Sequence, residues 1–293
     1  MSDVLFDPAI TQALRDLLPW AGEFFKFITA IGGELVYIGI ILIGYWTIKK
    51  REAILAAVIL TAAILSNYWL KYMIANPRPD SSLWLEGVDT TNYSTPSGHA
   101  QYSATFYGWF ALKIRTGWMY ALSLILTLLI GVSRVYLGVH YLGDVLLGWA
   151  IGLVMVFLLY RFQEQISALI ARTGIETASA LFLVVGLVMM AVSTLLPPPP
   201  GTNFGDVGGF TMGLAVAIPL ERRYVSFTVE APDGKRWKLA LRVVIGMLLI
   251  MTLLIGLEPL LPSSDLWLRA VRYFLVTLTG IFVWPLIFKI VGL

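Results

Sequence analysis

Residues 117–160 read GWMYALSLILTLLIGVSRVYLGVHYLGDVLLGWAIGLVMVFLLY, and this stretch decides the fold. It holds two apolar runs, each about as long as the ~20 residues that an α-helix needs to cross a bilayer. The runs are continuous, which excludes a transmembrane β-barrel, because barrel strands alternate apolar and polar residues. The segment between them contains Ser133, Arg134, His140 and Asp144. We therefore predict two membrane-spanning helices with ionisable side chains where they meet.

The whole chain has the same character as this stretch. Of its 293 residues, 58% are hydrophobic and only 13% are charged, against roughly 45–50% and 25% in soluble domains. The mean hydropathy is +0.80. These values exclude a disordered chain, a coiled coil and an ordinary soluble enzyme, and they predict an all-α polytopic integral membrane protein. The chain has no cysteine, so disulfides and thiolate sites are excluded.

Three regions are predicted along the chain. Residues 1–30 form an N-terminal amphipathic segment at the membrane interface, with a poorly hydrophobic extra span as the alternative. Residues 31–174 form a core of five spans that ends in a polar linker near 161–176, and residues 175–293 form a C-terminal extension of four. The nine spans are expected near 31–48, 53–74, 98–114, 117–135, 142–160, 176–196, 205–220, 240–261 and 267–290.

Two smaller predictions concern the extension. Residues 225–238 have a turn signal at Pro232-Asp233-Gly234 and are expected to form a short β-hairpin. Arg269 and Arg272 are expected to pair with Glu258 or Asp265, because a charge within the membrane needs a partner; contact with a lipid headgroup is the alternative. The role of the extension is open: it could shape a lipid groove, form a homodimer interface or bind a second substrate.

Basic residues are concentrated in alternate loops, which predicts the orientation. Most of the 21 Lys and Arg residues follow the first, third, fifth and seventh spans. The positive-inside rule makes these loops cytoplasmic, with the N-terminus outside and the C-terminus inside. Basic loops also explain the net charge of +3, so no nucleic-acid partner is expected. No cleavable signal is apparent, and we predict a plasma membrane protein, in bacteria an inner membrane protein.

Three polar clusters fall on the predicted outer face. The first is Lys71 with Arg78-Pro79, the second is Thr95–His99, and the third runs from Ser133-Arg134 to Asp144. Lys71, Arg78 and Arg134 together match the charge of a phosphoryl group, with Arg supplying forked donors. Snorkelling to lipid headgroups is the alternative for any one of them.

The second and third clusters contain the two histidines of the chain. Thr95 is expected to be an N-cap and Pro96 to stand in the first helical turn, so that the N–H groups of Ser97, Gly98 and His99 form an anion site. His140 and Asp144 are four residues apart and would share a helix face, where the carboxylate can orient the imidazole. A structural polar pair is the alternative. The acidic residues Asp80, Glu86 and Asp89 lack a metal-ligand pattern, and no metal site is expected.

These residues resemble the three signature motifs of the type 2 phosphatidic acid phosphatase superfamily. The matching residues are Lys71-x6-Arg78-Pro79, Pro96-Ser97-Gly98-His99 and Ser133-Arg134-x5-His140-x3-Asp144, in order and with matching spacing over about 31–160. The resemblance implies a lipid phosphatase that needs no metal or other cofactor. It also implies a phosphohistidine on His140, orientation of that residue by Asp144, and proton transfer by His99. Lys71, Arg78, Ser97, Gly98 and Arg134 would bind the phosphoryl oxygens.

The natural lipid stays open at this stage. A polyprenyl diphosphate such as the undecaprenyl carrier is the first choice, followed by phosphatidylglycerol phosphate or phosphatidic acid. A lipid phosphotransferase would use the same residues, with an acceptor lipid in place of water. A transporter or flippase is a rival of another class, but it has no need for a histidine and an aspartate at nucleophile spacing.

Overall fold

The computed structural model describes residues 4–196 and 204–293. In these ranges the regular structure is helical and contains no β-strand, which confirms the all-α prediction. The chain divides into two compact units. The first holds the residues up to Tyr37 together with Val58–Gln163, and the second holds Ile38–Ala57 with the described part of Glu164–Leu293.

The helices are numbered in chain order. They are α1 Ala9–Leu17, α2 Gly22–Ile31, α3 Glu34–Thr47, α4 Lys50–Ile74, α5 Gly98–Ile114, α6 Gly117–Tyr136, α7 Leu142–Thr173, α8 Ile175–Ser193, α9 Phe204–Leu220, α10 Arg236–Gly256, α11 Leu266–Leu278 and α12 Trp284–Ile290. A π-helical turn follows α9 and another joins α11 to α12.

Six helical stretches within the described residues are long and apolar enough to cross a membrane, or seven if α2 and α3, which meet at a 45° bend, count as one. Each of the nine predicted segments contains a helix, but a count of nine spans is not confirmed. α5 and α9 have 17 residues each, which is shorter than the ~20 residues of a full span.

Two segments outside the predicted spans were singled out in the sequence, and for one of them the prediction is wrong. The polar linker near 161–176 is helical over most of its length, because α7 continues to Thr173. Phe162, Ile166 and Leu169 keep apolar side chains at helical spacing there. The turn expected at Pro232–Gly234 forms, but the hairpin around it does not. α10 begins at Arg236, which leaves no room for a second strand.

In the first unit, α6 is the helix against which the N-terminal segment packs. Both α1 and α2 lie against it. The Thr11 hydroxyl donates to the carbonyl of Val135 at 3.0 Å, and Arg15 Nε donates to the carbonyl of Tyr136 at 2.9 Å. The segment predicted as interfacial is thus a pair of helices held at the C-terminal end of α6. Its first three residues lie outside the described ranges.

A close approach of α7 to α5 positions the candidate site. A Cβ atom on Gly148 would lie only 2.6 Å from the carbonyl oxygen of Ser97, so the contact requires a residue without a side chain. One helical turn earlier on α7, the carbonyl of Asp144 accepts a hydrogen bond from the N–H of Ser97 at 3.0 Å. The contact therefore brings the start of α5 to the start of α7.

In the second unit, α9 packs against both α8 and α11. Asp206 on α9 pairs with Arg269 on α11 at 2.7 Å. Arg272 pairs with Glu258, as expected. The ion pair of Arg269 with Asp206 was not predicted, and Asp265 caps α11 by accepting from the N–H of Leu268 at 2.8 Å.

Candidate active site

Asp144 is a fully buried carboxylate in the first turn of α7. Its Oδ2 lies 2.5 Å from Ser94 Oγ, 2.8 Å from the backbone nitrogen of Tyr141 and 3.3 Å from His140 Nδ1. Its Oδ1 accepts a hydrogen bond from the Thr95 hydroxyl. Four donors thus surround one carboxylate, which satisfies the requirement that a buried charge be hydrogen-bonded.

His140 faces this carboxylate with one ring nitrogen and a cation with the other. Its Nε2 lies 3.1 Å from Nη1 of Arg78. A guanidinium group can only donate, so Nε2 must be the acceptor and the ring proton must be on Nδ1. His140 is 2% exposed. The arrangement leaves a lone pair on Nε2 beside a positive charge.

His140 and Asp144 do not share a helix face as expected, because α7 begins at Leu142. They still meet, because the Asp144 side chain accepts from the N–H of Tyr141, the residue that precedes the helix. An acidic side chain at the third helical position often bonds back to the residue before the helix in this way. The resulting turn directs the His140 ring towards the carboxylate.

Lys71 and Arg78 both bind the segment Asn92–Ser94. Lys71, in the last turn of α4, contacts the carbonyl of Tyr93, the carbonyl of Ser94 at 3.3 Å and Asn92 Oδ1 at 3.4 Å. Arg78 donates from Nε to the Asn92 carbonyl at 2.7 Å and from Nη2 to Asn92 Oδ1. Asn92 therefore binds both Lys71 and Arg78.

Arg134 is the third cation and lies in the last turn of α6, 7% exposed. Its Nη1 donates to the hydroxyl of Thr29 on α2 at 2.7 Å. Its buried Nε has no hydrogen-bond partner among the described residues. A buried N–H without a partner is costly, so this group is suited to an anionic ligand.

The start of α5 differs from the expectation. The helix begins at Gly98 with Ser97 as its N-cap, and Thr95 uses its hydroxyl on Asp144 instead of capping. Ser97 is fully buried, and its Oγ has no partner within the described part of the chain. Gly98 and His99 lie in the first turn, whose N–H groups have no partner inside the helix. His99 is half-buried. These groups offer several free donors at one helix end.

The pKa values at the site follow from burial and charge. Burial lowers the pKa of His140 well below its ordinary value, and the positive charge of Arg78 lowers it further, with smaller effects from Lys71, Arg134 and His99. Burial lowers the pKa of Arg78 to about 10, partly opposed by the charge of Asp144. At neutral pH the imidazole is therefore neutral and the guanidinium is charged.

Sequence reasoning missed four residues that support the site. Asn92 binds two of the cations, Thr29 binds Arg134, and Ser94 and Asn76 are bonded to groups around Asp144. Two hydroxyl residues directly before Pro96 were an available signal. Thr29 carries no local signal, because its contact spans 105 positions.

No group of three or more His, Asp or Glu residues within 4–196 and 204–293 is arranged to hold a metal ion. The charged groups that surround His140 are cations, apart from Asp144.

Comparison with known proteins gives two family matches. The model described as "PAP2 superfamily" matches residues 52–168, and "PAP2 superfamily phosphatase, transmembrane extension" matches residues 205–293. Phosphatidylglycerophosphatase B of Bacillus subtilis is 32% identical over 176 residues, which cover 55% of this chain and 84% of that protein. The undecaprenyl-diphosphatase of Sulfolobus acidocaldarius is 33% identical over 143 residues, covering 47% and 68%.

The chain belongs to the PAP2 superfamily. The resemblance seen in its motifs is thus confirmed, and the chain is a membrane-embedded lipid phosphatase of this superfamily. The superfamily match includes every motif residue from Lys71 to Asp144, and the extension match begins at the start of α9.

This PAP2 phosphatase also resembles rat sphingosine-1-phosphate phosphatase 1, with 25% identity over 252 residues, 78% of this chain and 57% of that protein. The crystal structure of a transmembrane PAP2 type phosphatidylglycerolphosphate phosphatase from Bacillus subtilis covers 54% of this chain and 85% of its own, at 30% identity and a TM-score of 0.47.

Proposed function

We propose that this PAP2 phosphatase hydrolyses lipid phosphates or diphosphates through a phosphohistidine on His140, without a metal ion. The observation that carries the proposal is that each ring nitrogen of His140 faces a different charged group. Nδ1 faces the Asp144 carboxylate at 3.3 Å, and Nε2 faces Arg78 at 3.1 Å. This arrangement supports the proposal, because it leaves Nε2 unprotonated beside a cation that can bind an anion.

In the first step, the Nε2 lone pair of His140 attacks phosphorus and a P–N bond forms. The P–O bond to the lipid breaks, and protonated His99 donates its proton to the leaving oxygen. The product is the lipid alcohol from a monophosphate, or the lipid monophosphate from a diphosphate. Asp144 stabilises the positive charge that develops on the imidazole.

In the second step, water attacks the phosphohistidine and neutral His99 accepts its proton. The P–N bond breaks, inorganic phosphate leaves, and His140 recovers its lone pair. Each histidine returns to its starting state, so the cycle needs no further reactant.

Lys71, Arg78 and Arg134 hold the phosphoryl oxygens in this proposal, together with the Ser97 hydroxyl and the Gly98 N–H. Phosphoryl transfer depends mainly on positioning and charge stabilisation. Arg134 Nε and Ser97 Oγ support these roles, because both are buried and neither has a hydrogen-bond partner among the residues that the structure describes. Three fixed cations can supply the charge that Mg²⁺ supplies in other phosphoryl-transfer enzymes.

We propose a polyprenyl diphosphate such as undecaprenyl diphosphate as the substrate, with phosphatidylglycerol phosphate as the second candidate. The names of the relatives support both, since one is an undecaprenyl-diphosphatase and another a phosphatidylglycerophosphatase. Phosphatidic acid is the third candidate. The long apolar helices would contact the lipid tail, and the headgroup would reach the cations.

The proposal also includes location and organisation. The site faces outward from a bacterial inner membrane, residues 31–174 are the phosphatase core, and residues 175–293 support it or mediate self-association. Because the chain has no cysteine, single cysteines at Asp89 and Arg223 test the orientation. An impermeant maleimide added to intact cells should label the first position and spare the second.

The experiment that tests the function is phosphate release by the purified protein with EDTA present. The panel is undecaprenyl diphosphate, phosphatidylglycerol phosphate, phosphatidic acid and lipid A, with His140→Ala as the control. Release from one lipid well above the others, lost in the control, supports the proposal. A strict Mg²⁺ requirement would contradict it, and phosphorylated acceptor lipid instead of free phosphate would identify a phosphotransferase.

A further inference from the structure

Two adjacent hydroxyl residues, Ser94 and Thr95, contact the Asp144 carboxylate on both of its oxygens. Ser94 Oγ lies 2.5 Å from Oδ2, and the Thr95 hydroxyl donates to Oδ1. Both residues are buried, at 0% and 4% exposure. They precede the residues that match the superfamily motif and are not among the catalytic or phosphate-binding groups proposed above.

The direction of the Thr95 hydrogen bond is fixed by its other partner. Asn76 Nδ2 lies 2.8 Å from Thr95 Oγ1. An amide nitrogen can only donate, so it occupies an acceptor position of the hydroxyl. The single hydroxyl proton of Thr95 is then directed to Asp144.

Ser94 stands between the two members of the catalytic pair. Its Oγ lies 3.3 Å from His140 Nδ1 and 2.5 Å from Asp144 Oδ2. Since Nδ1 carries the ring proton, Ser94 must donate to the carboxylate and can accept from the imidazole. Its own N–H donates to the carbonyl of Asn76 at 2.9 Å, which fixes the segment in place.

We propose that Ser94 and Thr95 are positioning residues for the phosphatase reaction: their hydroxyls hold the Asp144 carboxylate in the one orientation that keeps the His140 ring proton on Nδ1. Nε2 is thereby left unprotonated and directed at the phosphoryl site. The inference rests on the proposed role of His140 as the nucleophile. Arg78 favours this tautomer from the Nε2 side, and the segment before α5 favours it from the Nδ1 side by holding Asp144.

The reason that two hydroxyls are needed lies in the freedom of a carboxylate. Asp144 can rotate about its last torsion, which is broad for a terminal carboxylate. Tyr141 N–H and His140 both bond to Oδ2, so they leave Oδ1 unrestrained. Thr95 supplies the donor on Oδ1, and Ser94 adds a second donor on Oδ2.

The first test compares Thr95→Val, which removes the hydroxyl at nearly constant shape, with Thr95→Ser, which keeps it. Thr95→Val and Ser94→Ala should each lower kcat about 10-fold to 100-fold, as loss of a group that orients a reactive residue does, with KM nearly unchanged. Thr95→Ser should recover most of the loss. Thr105→Val is the matched control, because within the described part of the chain that buried hydroxyl bonds only to the carbonyls of Gln101 and Gly152.

The second test separates positioning through Asp144 from a general structural effect. In an Asp144→Asn background, Thr95→Val and Ser94→Ala should have little further effect, because their target is already altered. If the losses instead multiply, the two hydroxyls act independently of Asp144 and the proposal is wrong.

The third test does not require activity. The chain has only two histidines, so 15N-histidine labelling gives four ring signals, which His99→Gln assigns. His140 should show protonated Nδ1 and unprotonated Nε2 in the wild type, and a mixture of tautomers when Ser94→Ala and Thr95→Val are combined. An unchanged His140 spectrum would overturn the inference. A wild type that releases no phosphate would instead overturn the proposed function, while the spectra would still decide on the tautomer.

Discussion

In the proposed mechanism the chemistry depends on His140, and two neighbours of this residue define its state. Arg78 at Nε2 requires an unprotonated nitrogen there, and Asp144 at Nδ1 accepts the proton. A histidine held in this way is ready to attack without first losing a proton. The same cations that would bind the phosphoryl group also keep the imidazole neutral.

We predict that His140 in the ligand-free protein titrates below pH 6.5, the ordinary midpoint of a histidine, because burial and then Arg78 lower its pKa. Arg78→Gln should raise the midpoint, since it removes a positive charge 3.1 Å from Nε2. The measurement is a pH titration of the His140 ring signals by 15N NMR. Arg115→Gln, at the exposed C-cap of α5, is the control and should leave the midpoint unchanged.

A midpoint at or above 6.5 would show that His140 is solvated or faces more negative charge than the structure contains. An unchanged midpoint in Arg78→Gln would show that the charge of Arg78 does not lower the pKa of His140.

At this scale the sequence predicted which residue types belong together but not how they meet. Lys71, Arg78, His140 and Asp144 are brought together as expected, and their catalytic roles stay predictions. Ser94 and Asn92 were missed, because their contacts depend on the path of the loop between α4 and α5. Nothing in local spacing specifies that path.

At the scale of elements, the contact of α7 with the start of α5 matters most. Gly148 allows this contact, because a Cβ atom there would lie 2.6 Å from the Ser97 carbonyl. We predict that Gly148→Ala separates the helices and lowers the free energy of unfolding by about 1–3 kcal/mol, as overpacking does. Phosphatase activity should fall with it, because Asp144 lies one turn away.

Gly117→Ala is the matched control, since a Cβ atom added there would meet no other part of the described chain within 4 Å. The stability of both variants is measured by thermal unfolding in detergent, and their activity by the rate of phosphate release. Equal stability and activity of Gly148→Ala and wild type would show that the two helices are not held this closely.

A second element-scale prediction concerns α2. Thr29→Val removes the hydroxyl that accepts from Arg134 Nη1 at 2.7 Å and leaves a second buried donor without a partner. We expect KM to rise about 10-fold, the effect of losing one hydrogen bond to a charged group, with a smaller change in kcat. Thr47→Val is the control, because among residues 4–196 and 204–293 its hydroxyl bonds only to the carbonyl of Ile43 in its own helix. An unchanged KM would show that α2 does not position Arg134.

Helix positions were predictable from the sequence, because a continuous apolar run that crosses a membrane must form a helix to satisfy its backbone hydrogen bonds. Helix ends were less predictable. The start of α5 was placed too early because Thr95 has a capping side chain that the fold uses on Asp144. The end of α7 was placed too early because its last turns are amphipathic, not apolar.

At the scale of the whole molecule, the two units differ in the polar residues that they contain. The first contains all of the proposed site residues, and the second contains partly buried ion pairs such as Asp206–Arg269 at 2.7 Å. Orientation and the number of spans depend on loop charge and helix length summed over the chain. For this reason the orientation stays a prediction and the count of nine is not confirmed.

We predict that Asp206→Asn destabilises the protein by about 2–3 kcal/mol, because it removes the carboxylate charge that pairs with the Arg269 guanidinium at 2.7 Å. This is below the effect of a fully buried pair, since the Arg269 side chain is 19% exposed. Thermal unfolding measures the loss, and Asp233→Asn, at an exposed carboxylate, is the control. Activity below the unfolding temperature should be retained, and its complete loss in folded protein would assign Asp206 a role in the chemistry.

The central claim is covalent catalysis by His140, and trapping the intermediate tests it most directly. Wild-type protein is mixed with undecaprenyl diphosphate labelled with 32P at the terminal phosphate and quenched in alkaline detergent, because phosphohistidine survives alkali and is lost in acid. We predict acid-labile label on the peptide that contains His140, and none in His140→Ala. Phosphate release by the wild type without any labelled protein, or label on a different residue, would contradict the account.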